Sequence, residues 1–381
     1  MKRIKSSRII YGDAIVSGYV YFEDGKIVTV SGDNLPCESE YDAGDNYVSP
    51  GFIDIHTHGG GGFAFEGSVD DIVNGCNFHL THGTTAICPT ISAAPFASMR
   101  RSVANIKAAM ADSRVKTNIV GAHMEGPYLS LQQTGAQAPD AITPPIPEDY
   151  DSLIEEYGDV IVRWAYAPEN DEGGRFCKYL TSHNIVPAAG HTNAIYDDMK
   201  IAMDSGCFQI THLYSACSTV TRDHGFRRLG VVETAYLEDD IFVEIIADGK
   251  HLPPDLIRLI YKLKGSDRIA LISDSLAFAG TDLKHGFMQT TEFIVEDGIC
   301  KMMDRSAFVG SIATADRLVR VIVNEADLPL TEAVKMMTAT PAKMMNLNKG
   351  SFDAGKDADI AVFDDGINIQ SVFVRGNRVT V

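Results

Sequence analysis

Histidines and carboxylates stand in this sequence directly after apolar runs, where side chains that bind metals or move protons would be gathered at one end of a sheet. The first run closes on Asp54-Ile55-His56-Thr57-His58, followed by Gly59 to Gly62. Side chains alternate along an extended chain, so His56 and His58 face the same way and present two imidazoles to one site. Four further runs close on Ala122-His123-Met124-Glu125-Gly126-Pro127, Ala189-Gly190-His191-Thr192, Thr211-His212-Leu213 and Ser273-Asp274-Ser275. Any one of these reads equally as a hydrogen-bonded polar group beside a loop; all five together read as a metal-dependent hydrolytic centre. Imidazole and carboxylate without thiolate suit a divalent cation, zinc foremost, with iron, manganese or cobalt as alternatives, and a catalytic site leaves one position open for water. Water acidified toward a pKa of about 7 is a nucleophile at neutral pH. Asp274 is the carboxylate placed to take its proton and pass it to a leaving group.

The elements that must position these residues follow from the pattern around them. Eight apolar strands are predicted: Tyr47 to His58, Thr84 to Pro89, Asn118 to Glu125, Val160 to Ala167, Ile185 to His191, Phe208 to Leu213, Ile241 to Ala247 and Arg268 to Asp274. Amphipathic stretches at Val69 to His82, Pro95 to Asp112, Arg175 to His183, Ile195 to Ser205 and Pro253 to Lys264 separate most of them. Continuous apolar strands alternating with helices imply a parallel sheet covered on both faces, and eight such units imply a (β/α)8 barrel of the TIM type. All five polar strand ends then meet at the C-terminal rim of that barrel. Thr290 to Met303 is expected to form an inserted hairpin, followed by helices over Ser311 to Glu325 and Leu330 to Leu347. Short strands at both ends of the chain, among them Ala14 to Phe22 and Ala358 to Phe363, are expected to pair into one small β-sandwich domain. The predicted division is 1–49 with 348–381 for that domain, and 50–347 for the barrel.

Composition bounds the partners. The 381 residues carry 33 Lys plus Arg against 51 Asp plus Glu, a formal net charge of −18, which disfavours a broad nucleic-acid or anionic-membrane surface. No apolar run approaches the roughly 20 residues of a membrane helix, and the basic start lacks the apolar run of a signal peptide. Seven scattered cysteines without a C-x-x-C pair argue against a disulfide framework, so a cytoplasmic protein is expected.

Five segments in order, GAHMEGPYL (Gly121 to Leu129), AGHT (Ala189 to Thr192), THLYSA (Thr211 to Ala216), IIADGKH (Ile245 to His251) and SDSLAFAG (Ser273 to Gly280), resemble the N-acetylglucosamine-6-phosphate deacetylases of the amidohydrolase superfamily, as does GSFDAGKDADIAVFD (Gly350 to Asp364). The resemblance implies that Glu125, His191 and His212 bind a principal metal ion and that Asp274 is the catalytic acid and base. It implies a second ion at His56 and His58, bridged through Glu125; some members lose the H-x-H and use one ion. It also implies substrate contacts at Gln137, Ser215, Ala216, Arg222, Arg227 and His251, a small amino-sugar phosphate as substrate, and a homodimer in which an arginine or histidine of one subunit completes the site of the other. Three departures bear on substrate. The family's histidine twelve residues after the glutamate is Gln137, the asparagine of its HLYNAM motif is Ser215, and its REPG motif is replaced by Thr221 to Gly230, which holds Arg222, Arg227 and Arg228. These leave open an epimeric N-acetylgalactosamine 6-phosphate, another N-acyl substrate, or a catalytically silent paralogue used for binding.

Overall fold

The computed structural model describes residues 1–288 and 291–379. Eight parallel strands follow one another around the central sheet: β1 (Phe52–Thr57), β2 (Thr84–Ser92), β3 (Ala122–Glu125), β4 (Ile161–Tyr166), β5 (Val186–Ala189), β6 (Gln209–Ile210), β7 (Phe242–Ile245) and β8 (Ile269–Leu271), each hydrogen-bonded to the next. Beyond β8 the chain turns back to β1: Asp274 N–H donates to His56 O (3.0 Å) and His58 N–H to Ser275 O (2.8 Å). The sheet is thereby closed into a (β/α)8 barrel, and the contact that closes it joins three of the residues singled out by type.

Helices α1 (Val69–Thr81), α2 (Phe96–Met110), α3 (Pro147–Tyr157), α4 (Arg175–Ser182), α5 (Tyr196–Asp204), α6 (Val231–Leu237), α7 (Pro254–Lys264) and α8 (Ala315–Asn324) lie outside the strands. In α1 a capping box opens the helix, with Ser68 and Asp71 each satisfying the other's backbone N–H, and Ile72, Val73, Cys76 and Leu80 form its buried stripe. Gly83, at φ +90°, turns the chain from α1 into β2, where a Cβ would lie 2.8 Å from the Phe52 ring. A buried aromatic group of Tyr128, Trp164 and Phe176 fills the layer outside β3 and β4, with the Tyr128 and Trp164 rings stacked at 5.8 Å.

The chain ends meet in one eight-stranded sheet built from strands between Lys2 and Pro50 and between Ile360 and Val379. Its own core contains Ile4, Val20, Phe22, Val48, Ile360, Val362 and Phe373. Lys349, buried between Asp357 and Asp359 (3.4 and 2.7 Å), anchors the return from the barrel to this sheet.

Several predicted elements differ from those observed. The first apolar run, Tyr47 to His58, serves two sheets: Tyr47–Pro50 pairs antiparallel with Ile360–Phe363, and the barrel strand starts after Gly51. A Cβ on Gly51 would sit 2.2 Å from Thr85 Oγ1, so the crossing from one sheet to the other requires glycine. The expected hairpin is part of a four-stranded insert, His285–Met288, Thr291–Glu296, Ile299–Met302 and Phe308–Gly310; its predicted first residue, Thr290, lies outside the described residues, as do Gln289, Thr380 and Val381. Ser311 bridges to Ser275 instead of starting a helix, so α8 begins at Ala315. The stretch Leu330 to Leu347 breaks at Thr338 (φ −134°, ψ −78°) into helices Leu330–Met337 and Ala339–Met344.

Candidate active site

Glu125 is the last residue of β3, and the turn behind it is held by the chain's one tryptophan, whose Nε1–H donates to Gly126 O at 2.8 Å. Around its carboxylate stand the other polar strand ends. Oε1 faces His212 Nε2 at 2.9 Å, His191 Nε2 at 3.1 Å and His56 Nε2 at 3.4 Å; Oε2 faces His58 Nε2 at 3.2 Å. Asp274 Oδ1 lies 3.3 Å from His58 Nε2 and 3.7 Å from His56 Nε2. His191, His212 and Asp274 take φ values of +45°, +27° and +44°, a conformation uncommon for residues other than glycine. Each strand thus ends in a sharp left-handed turn that aims its side chain at the centre, a strain commonly held at functional sites.

The partners on the far side of each ring fix which nitrogen faces inward. His191 donates Nδ1–H to Gln133 O (2.9 Å) and His212 donates Nδ1–H to Ser215 O (3.0 Å). His56 Nδ1 faces Thr211 Oγ1 (3.0 Å) and Glu244 Oε2 (3.3 Å), while His58 Nδ1 faces Ser92 Oγ (3.2 Å). In the neutral tautomer that binds a cation, with Nδ1–H so engaged, the His191 and His212 rings would turn Nε2 lone pairs toward the same carboxylate oxygen; these two nitrogens are 3.2 Å apart. Three acceptors so close repel one another unless positive charge sits among them. The atoms of Glu125, His191 and His212 lie within 4.8 Å of one another, as do those of His56, His58 and Glu125. Nitrogen and oxygen donors, ring tautomers fixed from behind and no thiolate suit one or two divalent cations of the zinc, iron, manganese or cobalt kind. Burial alone would raise the carboxyl groups of Glu125 and Asp274, yet the imidazoles around them hold both well below the usual carboxylate range.

His58, Glu125, His191, His212 and Asp274 form the floor of a cavity of about 220 Å³, with His56 fully buried behind them, and its walls include Gly135, Gln137, Ser215, Ala216, His251 and the insert residues Ala307 to Gly310. The buried Gln137 amide is fixed at both ends: Nε2 donates to Glu125 Oε2 (2.8 Å) and Oε1 accepts from Ala93 N–H (2.9 Å). His251 is steadied by Asp248, whose carboxylate accepts from the ring Nδ1 at 2.9 Å and from two backbone N–H groups, and its ring meets Phe308 edge to face at 5.2 Å.

Arg222, Arg227 and Arg228 stand apart from this cavity. They lie on the exposed hairpin Thr221–Asp223 and Phe226–Arg228, where Arg222 is opposite Arg227 and Arg228 pairs with Asp223. Among the described residues, no lysine or arginine lines the cavity.

Two charged residues beneath the site escaped the sequence reading, Glu244 and Arg163. Their signal is a charge inside an otherwise apolar strand, as in Phe242-Val243-Glu244-Ile245-Ile246. Phe308, which falls between the expected hairpin and the next expected helix, also lines the cavity.

A closed (β/α)8 barrel with a cation-suited donor set and a further carboxylate beside it at the C-terminal rim defines a metal-dependent hydrolase of the amidohydrolase type. The sequence profile of the Amidohydrolase family matches residues 47–379. The N-acetylglucosamine-6-phosphate deacetylase of Bacillus subtilis (strain 168) is 30% identical over 375 residues, 96% of this chain and 93% of that one; the Homo sapiens deacetylase of the same name is 26% identical over 386 residues, 98% and 94%. A Mycobacterium smegmatis N-acetyl-D-glucosamine-6-phosphate deacetylase mutant, solved in complex with N-acetyl-D-glucosamine-6-phosphate, superposes with a TM-score of 0.92 at 26% identity, covering 100% of this chain and 99% of that one. The Pasteurella multocida N-acetylglucosamine-6-phosphate deacetylase gives 0.92 at 27%, covering 100% of both. The chain belongs to the N-acetylglucosamine-6-phosphate deacetylase family of amidohydrolases.

Proposed function

We propose that this enzyme hydrolyses the N-acetyl amide of N-acetylglucosamine 6-phosphate to glucosamine 6-phosphate and acetate. The observation that carries the chemistry is the placement of the Asp274 carboxylate against His58 at the floor of a cavity where two N/O donor sets meet at Glu125. In this reading Glu125, His191 and His212 hold one divalent cation, and His56 and His58 with Glu125 hold a second. When bound, such a cation supplies Lewis acidity to the amide carbonyl and lowers the pKa of water.

The chain's own groups do the rest. Asp274 accepts a proton as the water oxygen bonds to the carbonyl carbon, then returns it to the amide nitrogen as the C–N bond breaks. Gln137 holds Glu125 through one N–H and has a second to offer the carbonyl oxygen; being neutral, it contributes less than a cationic donor would. His251, with Nδ1 tied to Asp248, keeps Nε2 for a substrate oxygen. Zinc foremost as the ion, a cytoplasmic location and a homodimer belong to the same proposal. The seven free cysteines are consistent with a reducing compartment. The homodimer is supported by an exposed arginine hairpin that has no place in its own cavity.

A second reading, hydrolysis of an unphosphorylated or epimeric N-acyl sugar, is favoured by the lack of lysine or arginine among the described cavity residues. Acetate release from N-acetylglucosamine 6-phosphate, N-acetylgalactosamine 6-phosphate and N-acetylglucosamine separates the two. The proposal expects the first to be turned over with the highest kcat/KM, and equal rates without the phosphate would overturn it.

A further inference from the structure

Of the four histidines facing the centre, only His56 has a carboxylate behind it. His191 and His212 are held by backbone carbonyls, and His58 by the Ser92 hydroxyl. Behind His56, Thr211 Oγ1 lies 3.0 Å from Nδ1 and itself donates to Glu244 Oε2 at 2.5 Å; that same oxygen is 3.3 Å from the ring nitrogen. The other oxygen, Oε1, pairs with Arg163 Nη1 at 2.8 Å. Arg163 in turn donates to His123 Nε2 (3.1 Å) and to Gln209 Oε1 (3.1 Å), and Gln209 Nε2 is tied to Met344 O (2.8 Å). Every side chain in this chain of contacts is buried, and Arg163 and Glu244 are fully so.

We infer that Glu244 is a positioning residue that makes the His56–His58 half of the site a cation subsite in its own right, with Arg163 as its fixed counter-charge; the inference rests on the two-ion reading above. Acceptance of the His56 Nδ1–H by Thr211 and Glu244 fixes the tautomer, so Nε2 presents its lone pair to the centre. A carboxylate behind an imidazole also raises the donor strength of the opposite nitrogen. Arg163, 2.8 Å from Glu244 Oε1, supplies the counter-charge that a carboxylate inside the barrel requires and holds it in place behind His56. No side chain of this network holds the His191 or His212 ring, whose Nδ1 atoms are fixed by Gln133 O and Ser215 O, so its action falls first on the His56–His58 half. A barrel-filling ion pair with no further role would not produce that asymmetry.

The test is metal titration of chelator-stripped wild type, E244Q and R163M/E244Q with zinc. Calorimetry gives the affinity of each ion, and elemental analysis after gel filtration gives stoichiometry. The double variant is included because E244Q alone leaves the buried Arg163 without its counter-charge. The expected result is two ions in the wild type and one tight ion in both variants, the second weakened by about 10–100-fold. Equal affinities for both ions in wild type and variants would overturn the positioning role, and so would a parallel loss at both subsites, the mark of a merely structural pair. A wild type that binds a single ion would overturn the two-ion reading itself, a distinct failure read from the unmutated protein.

Discussion

At the scale of single residues, Asp274 is the group on which the proposed proton transfer turns. Its carboxylate reaches both His56 and His58 from the strand end that closes the barrel, while Glu125 lies between the two donor sets. D274N keeps the shape and removes the acid/base. It should lower kcat by about 10²–10⁴-fold with metal content unchanged, as checked by acetate release and elemental analysis of the same sample; near-normal turnover would remove Asp274 from the proton transfer. The residues around it were legible because each one follows an apolar run, which places it at a rim whatever the exact strand length. Glu244 and Arg163 were not, since a charge within an apolar strand shows its purpose only when its partners on β4, β6 and β1 are brought inside the barrel. The arginine loop was legible as a cluster of charge but not as an exposed hairpin.

At the scale of elements, the close approach of β5 and β6 matters most. A Cβ on Gly190 would lie 2.0 Å from Thr211 Cγ2, and Thr211 is itself tied to Glu244. G190A should cost about 1–3 kcal/mol by overpacking and displace the Thr211 hydroxyl from His56, as read by a lower urea midpoint. A second tie joins α1 to α8. Asp316, at the start of α8, accepts from His82 (3.2 Å), Thr314 (2.5 Å) and Arg320 (2.8 Å). Burial opposes its ionised form, but His82, Thr314 and Arg320 together lower its carboxyl to about 2, below the ordinary aspartate value of about 3.9. The unfolded chain therefore binds the proton at higher pH than the folded one. The stabilisation is complete above pH about 4 and is lost as pH falls toward 2. D316N should be less stable than wild type by about 2 kcal/mol at pH 7, with the gap in urea midpoint closing as pH approaches 2; a pH-independent gap would contradict the ion-pair origin.

The elements themselves were readable to the extent that burial is periodic. All eight barrel strands show as apolar runs, whereas α3 and α6 were missed. The acidic α3 buries only Tyr150, Leu153 and Ile154, and α6 has seven residues. The boundary at Gly51 was hidden because Tyr47–Pro50 and the barrel strand are equally apolar, and only pairing with Ile360–Phe363 separates them.

At the scale of the whole molecule, a net charge of −18 and a cavity whose described lining lacks lysine and arginine set a clear demand. An anionic substrate must be met by cations at the floor, by His251 and by charges brought from outside the cavity. The sheet made from both termini carries none of the donors and braces the barrel through Lys349 and the Tyr47–Pro50 pairing. The central claim is that the gathered imidazoles and carboxylates serve a cation-dependent deacetylation. Its most direct test is acetate release from N-acetylglucosamine 6-phosphate by the chelator-stripped protein before and after stoichiometric addition of a divalent cation. The account predicts turnover abolished by stripping and restored by zinc or another ion of its kind. Undiminished acetate release from metal-free protein would contradict it.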